Sequence, residues 1–470
     1  MSAPAGPLPR WIELGILPII NLLMAMIVAG LIVLAIGDNP FIAIATMARG
    51  AFGDLYGLGY TLYYATNFIF TGLAVAVAFH AGLFNIGGEG QGYIGGLGAG
   101  LVALALDHSG LSLWPMLGLG LLASALFGAG WAFVPAYLQA KRGSHIVITT
   151  IMFNFLAAAL MVYLLVNVFR VPGSMEVVSR GFGDNAGIPY VNDVLASVGI
   201  EMAQTPLNLA FVWAILCCFL VWAYLWRSRG GYELRATGLS PRAAQYAGIR
   251  PSRVTIEAML ISGALAGFVG LNEVMGVHRQ LLLDFVAGAG FTGIAVALMG
   301  RNHPFGIVLA SILFGALYQG GAELAFEMPT VTRDMIVVMQ GLVILFSGAL
   351  AFMIRPVVER IWRATQSGRR PNAPPPSGPL TAPVQPVAAP ASPLSPVQEV
   401  PSPVTTVPAV APVLPAAPPE PELPPSPPPA AAPPPSIELV EAELIEPAPP
   451  PAPKKPARPR RPRKRNPEGA

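Results

Sequence analysis

Charged side chains are scarce in this chain: Asp, Glu, Lys and Arg make up 11% of its 470 residues. A water-soluble domain carries about 25%, so a soluble protein with a large core is excluded, and the mean hydropathy of +0.59 points to a bilayer as solvent. Lysine is scarcer still. Lys141 is the only one before residue 454, and it follows Ala140. A phosphate-cradling loop needs G-x-x-x-x-G-K-[ST], so the chain carries no ATP-hydrolysing loop of that kind. The two cysteines, Cys217 and Cys218, adjoin in an apolar run with no ligand cluster around them. Neighbours do not easily bridge each other, so they read as buried free thiols without a metal role. Five dispersed histidines make no constellation for a membrane enzyme. Intramembrane acids are also few: Glu89, with Glu257 and Glu273 near a later apolar run. That is a thin supply for a transporter coupled to ions through relayed carboxylates.

What the chain does have is apolar runs near the roughly 20 residues that a membrane helix needs. They fall at 12–36, 58–80, 86–106, 112–138, 146–168, 208–226, 256–275, 286–300, 304–321 and 334–353. The spacing predicts an all-α integral membrane protein of about ten transmembrane helices over residues 1–365. The first run is long and lacks an obvious small-residue cleavage site, so it reads as an anchor that stays. Ten crossings put both termini on one side. Counted to residue 370, the loops of that side hold fifteen Lys and Arg, among them Lys141, Arg142, Arg227, Arg229, Arg242, Arg250 and Arg301. The other side holds five: Arg49, Arg170, Arg180, Arg279 and Arg333. The excess predicts cytoplasmic termini and makes 169–207 the largest external loop.

The third run departs from plain hydrophobicity. Gly82 to Gly100 reads GLFNIGGEGQGYIGGLGAG and carries Asn85, Glu89 and Gln91. A charge at the bilayer centre costs about 3 kcal/mol or more, so Glu89 should face protein or a water-filled path. Glycines let helices approach closely or break, as around transporter sites. The reading is a discontinuous, Gly-rich third helix whose Asn85, Glu89 and Gln91 line a path. A structural or gating role for Glu89 and direct contact with a solute both fit.

The loop at 227–255 contains its own short helix. Ser240 can cap it, Pro241 suits the first position, Arg242 to Ala247 make about two turns, and Gly248 can close it. Such a rigid object between two spans is either a surface helix that satisfies its own backbone or a docking element for a motor.

Four segments in order then carry a family resemblance: GLFNIGGEGQ at 82–91, ITTIMFNF at 148–155, ELRATGLSPRAAQYAGI at 233–249 and GFTGIAVALMGRNHPFG at 290–306. The chain, from 12 to about 360, resembles bacterial ABC importer permeases of the branched-chain amino acid and simple-sugar superfamily, closest to its nucleoside (guanosine-type) subgroup. Ser240 stands where such permeases commonly carry Asn, and either residue caps. The resemblance implies a pore subunit of the bacterial inner membrane that works with a second permease subunit, a cytoplasmic ATPase carrying ATP and Mg, and an extracellular substrate-binding lipoprotein. No cofactor or metal belongs to the chain itself. It implies ATPase coupling through Glu233, Arg235, Gly238, Ser240, Pro241, Ala244 and Gly248. Nucleosides are the implied substrate; simple sugars and branched-chain amino acids stay open.

Other polar groups fall within spans. Asn67 and Thr71 follow Tyr63 and Tyr64 in the second, and Asn154 follows Thr149 and Thr150 in the fifth. They suit either hydrogen bonds to a nucleoside or helix packing. Phe291, among Gly288, Gly290 and Gly293, could line the path. Beyond residue 365 the composition changes, with 35 of the 50 prolines falling in the last 100 residues. This predicts a disordered Pro-rich tail over 366–470. It ends in KKPARPRRPRKR, suited to anionic membrane lipid, and no nucleic acid partner is expected.

Overall fold

The computed structural model describes residues 30–199 and 203–328, the stretch 335–342 and a few isolated residues besides. Most of the run at 12–36, the far end of the run at 334–353, and the tail assigned to 366–470 lie outside the described residues. The named elements are helical: α1 Pro40–Phe52, α2 Leu55–His80, α3 Gly88–Leu106, α4 Leu113–Tyr137, α5 Ile146–Leu164, α6 Val191–Ala196, α7 Ala210–Arg227, α8 Arg229–Leu239, α9 Pro241–Tyr246, α10 Pro251–Gly270, α11 Ala289–Met299 and α12 Pro304–Glu327. Several continue as wider π-helical turns, at Leu138–Arg142, Leu165–Phe169 and Leu271–His278.

Among the described residues, six helices are long and apolar enough to cross a membrane: Leu55–His80, Leu113–Arg142, Ile146–Phe169, Ala210–Arg227, Pro251–His278 and Pro304–Glu327. Six of the ten predicted runs coincide with these helices, the runs at 12–36 and 334–353 lie largely or partly outside the described residues, and the other two differ for separate physical reasons. The run at 286–300 yields only α11, whose 11 residues rise about 16 Å, half a bilayer. Its chain arrives through 279–288, where Arg279, Asp284 and Ala287 have positive φ and no helix can form. That irregular stretch is buried in protein through Leu281, Phe285 and Val286, the condition under which bare backbone is tolerated at membrane depth. The run at 86–106 does form a helix, and α3 is unbroken over its 19 residues. The irregular backbone predicted inside it falls before it, at 81–87. Its glycine content leaves α3 outside the six, although most of its residues are buried.

Helices α2, α3 and α10 make the centre, α4 covers α3 and α10, α12 covers α2, and α1 packs on α12. Glycine decides how near α3 and α10 come, because a methyl group on Gly270 would overlap the Gly96 Cα. Close backbones then gain polar ties, and Ser124 of α4 donates to the Gly267 carbonyl at 2.7 Å. At one end of the bundle, His80, Trp226 and His303 stack in a row with ring centroids 5.4 and 5.0 Å apart. They gather the ends of α2 and α7 and the start of α12 where Lys141, Arg142, Arg227 and Arg301 also lie. At the opposite end the 170–209 loop folds over the irregular 279–288 stretch. Ser179 and Leu281 exchange two hydrogen bonds of 2.9 Å there. Arg180 grips Asp107 at 2.5 and 3.0 Å. That guanidinium holds the Asp107 carboxyl down at about 2.

Candidate functional site

Two irregular stretches, 81–87 and 279–288, lead into α3 and α11, and the first turns of these helices meet inside the bundle. Glu89 opens α3 and is 8% exposed. Its two oxygens accept from the backbone N–H groups of Gly288 and Gly290, each at 2.8 Å. These are orphan donors at the start of α11, where the helix dipole also favours negative charge. Gly288, with φ +79°, supplies the left-handed turn that aims them. A carboxylate is therefore tolerated here because a helix N-terminus neutralises it.

Around it the remaining amides close a network. Asn85 donates to Gln91 Oε1 and to Ser262 Oγ, both at 2.9 Å, and accepts from the Gly87 N–H at 2.8 Å. Asn154 accepts from Gly90 N and donates to the Ile86 carbonyl, both at 2.9 Å. Asn154 is the span that pins the irregular stretch, since it ties α5 to both sides of the Gly87–Gly88 junction. Asn85, Glu89, Gln91 and Asn154 are thus brought together. Phe291 sits beside Gly290 with half of its surface exposed.

Asn67 belongs elsewhere. Ser262 reaches the Ala74 carbonyl at 2.6 Å, and Asn67 lies seven residues earlier on α2, about 10 Å along the axis. There it donates to Glu273 Oε1 at 2.5 Å and accepts from Asn272 at 2.9 Å. Tyr63 donates to the same carboxylate at 2.8 Å. Sequence reasoning counts Glu273 as one of few intramembrane acids and gives it no partner; the polar residues of α2 and α10 could not be registered against each other without the fold.

The predicted short helix is present as α9. Ser240 accepts from the Ala243 N–H at 3.3 Å, Pro241 takes the first position, and Gly248 closes it at φ +82°. Ala244 is buried beneath it. A second helix, α8, precedes it, capped by Ser228. Within α8, Glu233 pairs with Arg229 at 2.9 Å, and the Arg235 Nε is buried without a partner among the described residues. Gly238 rests directly on the turn after α2, where a Cβ would overlap the His80 carbonyl. The α8–α9 unit is therefore seated on the bundle. Its outer side presents Leu239 and Tyr246, 89% and 95% exposed. Neither was singled out from sequence; the signal was two large apolar residues flanking a capped helix in a basic loop.

Long buried helices, half-helices with buried irregular leads and a seated basic loop define a multi-pass α-helical membrane protein. The family model described as "Branched-chain amino acid transport system / permease component" matches residues 57–348. The chain belongs to that permease family. It is 33% identical over 344 residues to the guanosine ABC transporter permease protein NupP of Bacillus subtilis, covering 72% of this chain and 95% of that one. Similarity to the glucose ABC transporter permease protein TsgB13 of Haloferax volcanii is 31% over 73% of this chain and 89% of the relative. For the nucleoside ABC transporter permease protein NupB of Lactococcus lactis the figures are 30%, 65% and 83%. No solved structure matches the chain.

Proposed function

We propose that the chain is a pore-forming subunit of an ATP-binding-cassette importer that moves nucleosides inward across the cytoplasmic membrane by alternating access. In this reading it works beside a second permease subunit and receives substrate from an extracellular binding lipoprotein. ATP and Mg act on a separate ATPase chain. The basic end is cytoplasmic, as the Lys and Arg excess there favours, and so are both termini. The basic end of the tail, 454–465, touches anionic lipid.

The observation that carries the reading is the α8–α9 unit. It is rigid, rests on the turn after a central helix through Gly238, and leaves Leu239 and Tyr246 bare. Burying each of those side chains against a partner gains about 1.5–3 kcal/mol, and motion of that partner is delivered to α2 through a backbone contact without slack. In this reading Glu233, Arg235, Gly238, Ser240, Pro241, Ala244 and Gly248 couple the ATPase, while Asn85, Glu89, Gln91, Asn154, Asn67 and Phe291 border the path. The test is the double variant Leu239→Asp with Tyr246→Asp, co-expressed with the partner subunits. The ATPase is expected to be lost on purification and uptake of labelled guanosine to fall at least tenfold, with the chain's own abundance unchanged. Uptake by the chain alone on a proton gradient would overturn the reading.

A simple-sugar substrate is the second reading, favoured by the glucose permease relative at 31% identity. Parallel uptake of guanosine, glucose and leucine separates the two.

A further inference from the structure

The Glu273 cluster is built differently from the Glu89 cluster and is not explained by packing alone. Glu273 is 3% exposed and lies in the π-helical stretch Leu271–His278, a helical form that is frequent at functional sites. On its inner side a relay of amides is fully ordered. Asn208 donates to Asn272 at 2.8 Å, Asn272 donates to Asn67 at 2.9 Å, and Asn67 donates to the carboxylate. On its outer side stand Tyr63, which donates to both oxygens, and His278 Nε2, 3.4 Å from Oε2. Both of these are only partly buried.

Tyr63 is also the inner member of a row of rings on α2. Tyr56 and Tyr60 lie 4.7 Å apart between centroids, Tyr60 and Tyr63 6.5 Å, and Tyr63 and Tyr64 4.9 Å. Tyr64 continues the row to Tyr318 of α12 at 5.7 Å. The row starts at the second residue of α2, at the end of the bundle opposite His80, and none of the four α2 tyrosines is fully buried. Aromatic residues at a membrane boundary anchor a helix in the headgroups. Anchoring does not require a buried carboxylate, an amide relay behind it or a row that continues inward past Tyr60.

The chemistry suits a solute with a flat aromatic ring and several hydroxyls. The ring of a base stacks on tyrosine faces whatever its identity. A phenol that donates to a carboxylate keeps its lone pairs free, and the hydrogen bond behind it makes its oxygen a better acceptor. A sugar hydroxyl then donates to Tyr63 while His278 serves the rim. We propose that Tyr56, Tyr60 and Tyr63, with His278 at the rim and Glu273 polarising Tyr63 from behind, form the outer transit site of the path and select nucleosides by base stacking and sugar hydroxyl contact. This rests on the nucleoside reading above.

The test uses cells that lack their own nucleoside uptake and express the full set of importer subunits, with labelled guanosine as the probe. Tyr63→Phe keeps the ring and removes the acceptor; Tyr60→Leu removes a ring. Each is expected to lower guanosine uptake per molecule of chain in the membrane at least tenfold. Tyr60→Phe is expected to recover most of what Tyr60→Leu loses, and Tyr163→Leu, on the outward side of α5, to change nothing. A Tyr60→Leu chain that is less abundant but transports normally per molecule would make the row a membrane anchor and overturn the assignment. Uptake within twofold of native in both Tyr63→Phe and Tyr60→Leu would overturn it as well. If the native complex moves glucose and no guanosine, the nucleoside reading and this assignment fall together.

Discussion

Among the described residues two carboxylates, Glu89 and Glu273, are buried in the helical core, and they are neutralised in opposite ways. Glu89 is held by backbone, the N–H groups of Gly288 and Gly290 at the start of α11. Glu273 is held by side chains, Tyr63, Asn67 and His278. Backbone donors cannot turn away when their acceptor is lost, so the first site binds two half-structures together. Side chains can rotate to a new partner, so the second site can exchange one of its contacts for a solute. The comparison separates a carboxylate that builds the fold from one free to take part in transport.

The largest effect is expected from Glu89→Ala. It leaves the buried Gly290 N–H and the part-buried Gly288 N–H without acceptors, at about 1–3 kcal/mol for the buried one. The chain should fall in abundance and lose thermal stability in detergent by several degrees. Glu273→Ala should cost less, because Tyr63 and His278 are partly exposed and reach water, and the buried Asn67 amide it strands is a side chain that can turn to another partner. Equal losses of stability in the two variants would break the comparison. Next in size is Gly290→Ala. A Cβ there overlaps the Glu89 backbone nitrogen, so the start of α11 must move away from α3. Stability and uptake are expected to fall together, whereas variants of the Glu273 cluster lower uptake more than stability; loss of uptake at unchanged stability in Gly290→Ala would place that glycine in the transport step.

The smallest effect is expected outside the membrane core, at Asp107. Its side chain is buried, accepts from Arg180 and takes the Gly183 N–H at 3.1 Å. Its carboxyl is held at about 2, below the ordinary value near 3.9. A depressed acid contributes stability that is present above its unfolded value and is lost as pH falls through the folded one. Protection of the 179–183 amides, taken relative to their intrinsic exchange rate at each pH, should therefore be high above about pH 4 and fall toward pH 2. Asp107→Asn should show the low protection at every pH. An unchanged exchange rate in that variant would mean that the Ser179–Leu281 bonds hold the loop without the ion pair.

Local features were legible from the residues in order. The α9 helix with Ser240, Pro241 and Gly248 was, because capping is decided within a few residues. The grouping of Asn85, Glu89 and Gln91 was, because glycine and polarity inside an apolar run demand shielding from lipid. The crossings were less so. Hydropathy reads 286–300 as a span, since a half-helix with a buried irregular lead has the same composition as a full one. The reach of Asn154 to the Ile86 carbonyl, and the separation of Asn67 from Asn85, Glu89 and Gln91, depend on the register of α5 and α2 against their neighbours.

The sequence by itself determined the solvent of this protein, the helical class, the family and the capped α9 helix, because composition, capping and short motifs act over a few residues or over averages. Only the tertiary structure decided what neutralises each buried acid and which tyrosines share a face with Glu273. Those contacts join residues about 200 positions apart, and close packing of glycine-rich helices, not any local preference, brings them within hydrogen-bond reach.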